Sequence, residues 1–581
     1  MKKILKFNLL VFLFALSFNM YSQELLEEIS LQEQVEDATT IVEGMVIAKQ
    51  SFWDKDYKRI YTVNTFEVTK VFKGDMVSKV NVVTMGGTVD DSFLIVSPSL
   101  SLNVNDIGLI ALKEYNLGLT DYDPSKGKLY KPSYMVQSFY KYDLLDDKVI
   151  NTFATTAGVS AFNLEIEKLT GVTSKKVSSV KKDLNVTKTA SSQAVLAPSN
   201  ISFSPSSIGA GSQSQLTITG SGFGNSNGLV FFKDPDNGGR SFVSAPGSHI
   251  ISWSDTRIVL EVPSKAGTGF IRVRNSDGQE AESVNSLFVP YSLTNLGGNS
   301  VQHFDINGSG GLTWRLNTEL FENKPAYNAV LRAIDTWRCE TGINWVIGEN
   351  TDIDETRNDN INVVSFGDLP RGSLGITSVY GTTCTGDVFL ITDVDVIMKR
   401  PDTTNWNFGP EPTSGFNTDF ESTFLHELGH AHLLGHVINS TDLMNFSTTN
   451  GQDIRGLGVS NIAGAGIIME HSTSRRLCRG QDLVEPFSCP TNSVEDAFVE
   501  QSLSVYPNPN NGTFFIKGDA SLNLERASIF DVSGRLISEV DLTESSIAGV
   551  TTVDVSSASK GLYFVNVYFN NTMIVKKILI K

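Results

Sequence analysis

Residues 426–436 read His426-Glu427-Leu428-Gly429-His430-Ala431-His432-Leu433-Leu434-Gly435-His436 and contain four of the seven histidines in the chain. Residues four apart on a helix lie on the same face, about one turn apart, so His426 and His430 can contact one metal ion. This spacing, with a glutamate directly after the first histidine, is the HExxH arrangement of a zinc site. We therefore predict a zinc-binding helix in which Glu427 points at a water molecule beside the metal and can accept its proton.

The third histidine, His436, needs a break in that helix. Six helical steps of about 100° do not return residue 436 to the face that carries His430. Gly435 is the expected site of the break, because glycine adopts a positive φ at a helix end at little cost. At the other end, Thr418 or Asp419 is expected to cap the helix.

The set His426, Glu427, His430 and His436 resembles the pattern of the metzincin zinc endopeptidases, in which a methionine turn follows the three histidines. The resemblance implies that the three histidines bind one zinc ion and that Glu427 is catalytic. It also implies that Met444 forms the Met-turn, the floor under the zinc.

Two residues depart from the metzincin pattern. The family's glycine would fall at Leu433, so either the helix runs longer or Leu433 is strained. Phe446 stands where some metzincins have a tyrosine as an extra zinc ligand. Because phenylalanine cannot bind zinc, no ligand is expected there.

Alternatives to this ligand set stay open. In a gluzincin the third ligand would be a more distant glutamate, for which Glu470 is the candidate. His432 lies two residues from His430 and faces elsewhere, so it is expected to be solvent-facing or to support a ligand. A fourth protein ligand, from His432 or Glu470, would close a structural zinc site and suit a non-enzymatic surface adhesin.

The start of the chain predicts export. Residues 1–22 have three lysines and then an apolar run that is too short to span a membrane, which is typical of a secretory signal. No later run is long and apolar enough to predict a transmembrane segment. The net charge of −17 argues against nucleic acid and anionic lipid as partners.

The end of the chain predicts export as well. Residues 503–581 alternate short strand-like runs with Asn-Gly and Ser-Gly turns, which is typical of a small β-sandwich. Their runs at 503–509, 529–535 and 561–567 resemble the C-terminal sorting domain of the type IX secretion system of Bacteroidetes. The resemblance implies contact with that secretion machinery, followed by release or surface attachment. A sandwich that binds a carbohydrate or a protein partner is the alternative.

The length of 581 residues predicts about four domains. Residues 23–170 are rich in strand-like runs and lack histidine and cysteine. They could be a propeptide that covers the cleft or an accessory β-domain. Residues 171–196 are rich in Ser, Thr and Lys and are predicted to be a linker, with a processing site as the alternative.

Residues 197–290 resemble an IPT/TIG domain, an immunoglobulin-like sandwich, in the runs at 201–208 and 216–224. Three polar residues of this segment could hold a structural calcium ion, but a polar turn is the preferred interpretation. These residues are Asp234, Asp236 and Asn237.

Residues 300–492 are predicted to form the zinc-binding domain, with an α+β, metzincin-like fold. Helices are expected from Lys324 to Cys339 and from Asn461 to Ser472. The apolar run 388–398 reads as a strand shortly before the zinc helix. In metzincins the edge strand at this place pairs with an extended substrate.

The chain has four cysteines, and all lie in or beside this domain: Cys339, Cys384, Cys478 and Cys489. An even number of cysteines in an exported protein predicts two disulfides. Cys478–Cys489 is the natural local loop, which would leave Cys339–Cys384, but all three pairings stay open.

Together these features predict a multidomain protein that combines an α+β zinc protease domain with β-sandwich accessory domains. The predicted activity is hydrolysis of peptide bonds in protein or peptide substrates outside the cell. Zinc would polarise the scissile carbonyl, and Glu427 would act as base and then donate a proton to the leaving amine.

Overall fold

The computed structural model describes residues 26–177, 196–384, 388–415, 417–447, 451–475, 478, 480–489, 503–518, 524–532, 534–543, 550–569 and 572–581. The predicted signal sequence at residues 1–22 and most of the predicted linker, residues 178–195, lie outside this part of the chain. The described chain is mostly β, with several separate sheets and a few helices. None of its helices is long and apolar enough to cross a membrane.

Residues 26–177, the N-terminal unit, contain a closed barrel. The helices are α1 (Leu31–Asp37) and α2 (Val159–Thr170), and the strands are β1 (Thr40–Trp53), β2 (Ile60–Lys73), β3 (Lys79–Met85), β4 (Gly87–Val89), β5 (Ser92–Ser97), β6 (Ile107–Glu114), β7 (Leu129–Pro132), β8 (Phe139–Asp143), β9 (Lys148–Ile150), β10 (Thr155–Ala157) and β11 (Lys175–Lys176). Strands β1, β2, β3, β7 and β6 pair in turn, and β6 pairs back with β1. Side chains such as Val42, Phe66 and Ile110 fill its interior. Strands β4 and β5 leave the barrel as a hairpin and join another sheet.

The next unit, which we call the sandwich, consists of two sheets that face each other. Its strands are β12 (Ser199–Ser204), β13 (Gln215–Ser221), β14 (Leu229–Lys233), β15 (Phe242–Ser244), β16 (Ile250–Trp253), β17 (Arg257–Glu261), β18 (Gly267–Arg274) and β19 (Glu280–Leu287). They form two four-stranded sheets in the orders β12-β13-β17-β16 and β15-β14-β18-β19. Alternate residues of both sheets, among them Leu216, Phe232 and Ile271, form one buried core between them.

Residues 292–489, the central unit, carry the three histidines of the predicted zinc site. The helices are α3 (Thr318–Glu322), α4 (Lys324–Thr341), α5 (Phe420–Ala431) and α6 (Val459–Ser474). The strands are β20 (Ser292–Leu293), β21 (Asn295–Leu296), β22 (Asn299–Gln302), β23 (Leu312–Leu316), β24 (Trp345–Ile347), β25 (Asn362–Gly367), β26 (Gly375–Thr383), β27 (Phe389–Lys399), β28 (Trp406–Asn407), β29 (Thr418–Asp419) and β30 (Leu434–Gly435). Helices α4 and α6 lie where the sequence predicts them and extend about a residue or two further.

The main sheet of the central unit is mixed, in the order β24-β23-β25-β27-β26-β5-β4. Strands β23, β24, β25 and β27 run parallel, whereas β26 is antiparallel to β27. The helices α4 and α5 pack on this sheet through a core that includes Trp314, Trp337 and Phe424, all fully buried. The predicted strand at 388–398 is thus β27, an interior strand, and its outer neighbour is β26.

The C-terminal unit, residues 503–581, is a second pair of sheets. Its strands are β31 (Leu503–Tyr506), β32 (Thr513–Gly518), β33 (Leu524–Asp531), β34 (Leu536–Asp541), β35 (Val550–Asp554), β36 (Gly561–Phe569) and β37 (Thr572–Ile580). The sheets have the orders β31-β32-β35 and β34-β33-β36-β37. Phe514, Ile529 and Val565 are among the fully buried residues between them.

Two disulfides form, but not in the pairing that sequence proximity favours. The bonds are Cys339–Cys489 and Cys384–Cys478, so the local Cys478–Cys489 loop and the Cys339–Cys384 pair are both wrong. The reason lies in the path of the chain before residue 489. Phe487 donates its backbone N–H to Gly342 O at the end of α4 (2.8 Å), and the guanidinium of Arg338 lies 3.7 Å from the centre of its ring. This contact carries Cys489 to the end of α4, where Cys339 lies.

Candidate metal centre

Helix α5 begins at a side-chain cap and is buried along its whole length. Asp419 is the cap, since its carboxylate accepts the backbone N–H of Ser422 at 2.8 Å. The same carboxylate pairs with Arg455 at 2.5 Å. Phe420 and Leu428 are fully buried in the core of the central unit. The helix is therefore held at its first turn and along its apolar face, which fixes where its polar side chains point.

The helix ends where the metzincin pattern has its glycine. Ala431 is the last helical residue, and Leu433 has a positive φ of 65°. The prediction that Gly435 makes the break is wrong, because Gly435 does not have a positive φ. A left-handed leucine costs about 1–2 kcal/mol, and complete burial of its side chain offsets that cost.

The early break lets the chain turn back toward the helix. Residues 434–435 form β30 and pair with β20, which connects the sandwich to the central unit. Glycine at position 435 allows the two strands to come close together, because a Cβ there would lie 2.8 Å from the Ser292 hydroxyl oxygen. His436, the next residue, is thereby returned to the face of α5 that carries the other histidines.

The three predicted ligands converge through their Nε2 atoms. His430 Nε2 lies 3.0 Å from His426 Nε2 and 3.2 Å from His436 Nε2. Among the described residues they are the one group of histidine, cysteine, aspartate or glutamate that could hold a metal ion. Each Nδ1 atom has an oxygen partner: Leu443 O for His426 (2.6 Å), Leu434 O for His430 (2.8 Å) and Asp236 Oδ1 for His436 (2.8 Å).

Burial keeps the first two imidazoles neutral. Desolvation, reinforced by neighbouring histidines, lowers the pKa of His430 to about 3 and that of His426 well below its ordinary value. Neutral imidazoles whose Nδ1 atoms donate to oxygen present the Nε2 lone pair, the form that binds a metal. The donor set therefore fits a divalent transition metal such as zinc.

Met444 lies below this cluster. It is buried, and a Cβ on Gly429, between the first two histidines, would come 2.3 Å from its sulfur. Asp442 holds the turn by accepting Met444 N–H (2.9 Å) and the side-chain amide of Asn461 (2.8 Å). The preceding carbonyl, Leu443 O, is the partner of His426. Met444 thus lies against α5 between the first two histidines, and its role as a Met-turn stays a prediction.

Glu427 is buried beside the histidines. Its Oε2 accepts the hydroxyl of Thr377 on β26 at 2.5 Å. Its Oε1 lies against Gly375, where a Cβ would be only 2.5 Å away. Burial raises the pKa of Glu427 to about 8, although the bond from Thr377 opposes that shift. A carboxyl group with a raised pKa next to three converging imidazoles is suited to proton transfer.

The hairpin β4–β5 of the N-terminal unit covers the outer edge of β26. Strand β5 runs antiparallel to β26, with Ser92–Ser97 opposite Thr382–Thr377. At its end the hydroxyl oxygen of Ser97 lies 2.9 Å from His430 Nε2. A cavity of about 350 Å³ beside the cluster is lined by residues of the N-terminal unit, the sandwich and the central unit, including Ser97, Asp236 and His436.

His432 and Glu470 do not join the cluster. His432 is fully buried among Trp337, Trp345 and His303. The centre of its ring lies 5.4–5.6 Å from the ring centres of these three residues. Of the two roles expected for it, the solvent-facing one is therefore wrong, and its Nε2 atom lies 3.3 Å from the Thr341 hydroxyl rather than beside a predicted ligand. Burial lowers its pKa well below the ordinary value. Glu470 is exposed on α6, so the geometry gives no support to the gluzincin arrangement.

Four residues around the cluster have no signal in the sequence that relates them to it: Ser97, Asp236, Gly375 and Thr377. Asp236 belongs to the predicted polar turn, which the structure shows as a short 3-10 turn, Pro235–Asn237, capped by Asp234. Within the turn Asp234 accepts hydrogen bonds from the side chains of Asn237 and Ser241. The turn brings the Asp236 carboxylate to His436.

Comparison with known proteins identifies the end of the chain. Residues 504–581 match the family model described as the secretion system C-terminal sorting domain. No curated protein matches the chain. A solved structure, "Biofilm associated protein - BSP domain", aligns with 93% of this chain and 81% of its own at 8% identity, with a TM-score of 0.12, which is too low to carry an argument. The chain thus carries a type IX secretion sorting domain, and the protein is secreted or attached to the cell surface.

Proposed function

We propose that the protein is a secreted zinc-dependent endopeptidase. The observation that carries the proposal is the convergence of the Nε2 atoms of three histidines on one point with the buried Glu427 beside them. Three protein ligands leave a position open for water or substrate, as catalytic zinc sites require. The secreted location, which suits a protein that acts on external proteins, agrees with this proposal.

The residues of this chain divide the chemistry between them. His426, His430 and His436 would hold the zinc, which as a Lewis acid polarises the scissile carbonyl and activates water. Glu427 accepts the proton of the attacking water and passes it to the leaving amine. Thr377 orients that carboxylate through its hydroxyl, and Met444 supports the helix from below.

The endopeptidase proposed here is held latent by its N-terminal unit. Strand β5 adds to the free edge of β26 in the manner of a bound extended peptide, by backbone pairing. Phe93, Ile95 and Ser97 alternate along β5 and share the face that carries Val379 and Thr377. Phe93 is buried in the core beside Phe389, and Ser97 reaches His430. A substrate cannot pair with β26 while β5 is there.

Cleavage of a denatured, fluorescently labelled protein tests the proposed activity. The full chain should be treated briefly with trypsin, which can cut at Lys181 and Lys182 between the N-terminal unit and the sandwich, and the trypsin should then be inhibited. We expect cleavage of the substrate that a zinc chelator abolishes and added zinc restores. If the treated, zinc-loaded protein does not cut any unfolded substrate, the adhesin with a structural metal site takes the place of the protease.

Gly375→Ala is expected to lower the cleavage rate by up to about 100-fold, because the new Cβ would displace the Glu427 carboxylate from its position. Zinc content should not change, since the substitution leaves the three histidines in place. Gly466→Ala is the matched control, as nothing lies within 4 Å of a Cβ at that glycine. Equal rates for the two variants in the same assay would show that Gly375 does not position the base.

A further inference from the structure

The third histidine differs from the other two in the origin of its support. His426 and His430 direct their Nδ1 atoms at backbone carbonyls of the central unit itself. His436 directs its Nδ1 at the carboxylate of Asp236, which is 200 residues away in sequence and belongs to the sandwich. The side chain of His436 is nearly buried, with 10% of its surface exposed. Its ring orientation is therefore set by a group from another unit.

Asp236 is itself held in place. Its backbone N–H is accepted by Asp234 Oδ1 at 3.1 Å, and its second carboxylate oxygen lies 3.2 Å from the ammonium group of Lys265. The Asp234 carboxylate also accepts hydrogen bonds from the side chains of Asn237 (3.1 Å) and Ser241 (2.9 Å). The side chain of Asp236 has no bond within its own turn, so it is free to serve His436 without changing the turn.

The surface that carries Asp236 is packed against the segment that follows His436. A Cβ at Gly238 would lie 3.0 Å from the Phe446 ring, and one at Gly267 would lie 2.6 Å from Ile438. Strand β20, which pairs with β30, is also bound to the sandwich, because Leu293 donates its backbone N–H to Ala210 O at 2.9 Å. These contacts hold the sandwich against the histidine-bearing segment. The position of the Asp236 carboxylate beside His436 is therefore fixed by the packing of the sandwich against the central unit.

We propose that Asp236 is a positioning residue of the metal centre and that the sandwich is a part of this centre, not a separate binding module. The inference rests on the metal site of the proposed function. A carboxylate that accepts the Nδ1 proton of a metal-binding histidine fixes the ring and increases the basicity of its Nε2 atom. Removing it should weaken zinc binding although Asp236 touches no metal.

The test is the zinc affinity of the full chain, measured by competition with a chromophoric chelator after the protein has been stripped of metal. Asp236→Ala should weaken zinc binding by about 10–100-fold. Asp236→Asn keeps an oxygen acceptor without the charge, so its affinity should lie between those of the wild type and the alanine variant. Asp277→Ala, which removes an exposed carboxylate elsewhere on the sandwich, is the control and should leave the affinity unchanged.

Melting temperatures with and without zinc separate positioning from a merely structural role. Positioning predicts equal metal-free melting for wild type and Asp236→Ala, and a smaller rise on zinc addition for the variant. A lower metal-free melting temperature with unchanged zinc affinity would overturn the inference. The zinc-affinity measurement does not depend on cleavage. If Asp236→Ala binds zinc more weakly but the wild type cleaves no substrate, the inference stands and the protease proposal is rejected. A wild type that binds no zinc would overturn both.

Discussion

Glu427→Gln is expected to reduce peptide cleavage by about 10²–10⁴-fold, the usual contribution of a general base. The amide has nearly the same shape as the carboxylate, and its oxygen can still accept the hydroxyl of Thr377, 2.5 Å away in the wild type. It cannot accept a proton from water. Since Glu427 is not among the three residues whose donor atoms converge, zinc binding should be unchanged.

The measurement is the rate at which the trypsin-treated protein cleaves a denatured protein substrate, with zinc content determined in the same samples. Glu470→Gln is the control, since Glu470 is exposed on α6. It should leave both the rate and the zinc content unchanged. Loss of zinc from Glu470→Gln would instead support a gluzincin site. A Glu427→Gln variant that cuts as fast as the wild type would remove this glutamate from the mechanism.

The local part of the candidate site could be predicted from the sequence because helical spacing is a short-range property. His426 and His430 are one turn apart, and Asp419 precedes the helix, so their relative positions follow from the backbone alone. His436 and Met444 were implied by the metzincin resemblance, and the structure brings both to the cluster. Their roles stay predictions until activity is measured.

The remaining parts depend on contacts between distant segments. Ser97 and Asp236 reach the cluster from 333 and 200 residues away, and Thr377 reaches Glu427 from 50 residues away. Sequence spacing contains no information on such pairs. The same limit explains the wrong disulfide pairing, where the contact of Phe487 with the end of α4 brings Cys489 to Cys339.

The wrong position of the helix break has a different cause. Local propensity favours Gly435 because a left-handed leucine is strained. In the folded protein Leu433 is completely buried, and its carbonyl accepts the N–H of Thr294 at 2.8 Å. Tertiary packing therefore overrides the backbone preference and places the turn two residues earlier. This earlier turn allows β30 to pair with β20 before His436.

Loss of the pairing between β5 and β26 is expected to activate the protein. The proposed latency would depend on backbone pairing along six residue pairs and on Phe93, which is buried in the core of the central unit. Ile95 lies in the middle of β5, opposite Val379, and is the best position at which to weaken the pairing of β5 with β26. Ile95→Pro removes a backbone N–H and fixes φ, whereas Ile95→Ala shortens the side chain and leaves the backbone able to pair.

Both variants should be made in a full chain with a site-specific protease sequence inserted between residues 178 and 195, which allows the N-terminal unit to leave after the cut. Before the cut, wild type and Ile95→Ala should show little cleavage of a denatured substrate. After it, Ile95→Pro should be at least about tenfold faster than Ile95→Ala, because one lost ladder bond and a misfitting proline together destabilise the pairing by about 1.4 kcal/mol or more.

The comparison at a single position separates backbone pairing from side-chain packing. Equal rates for the proline and alanine variants would mean that docking of the N-terminal unit does not depend on strand addition. An intact wild type as active as the cut protein would contradict latency altogether, and β5 would then be a permanent strand of the central sheet. In that case the substrate must approach the histidines through the cavity beside Asp236 rather than along β26.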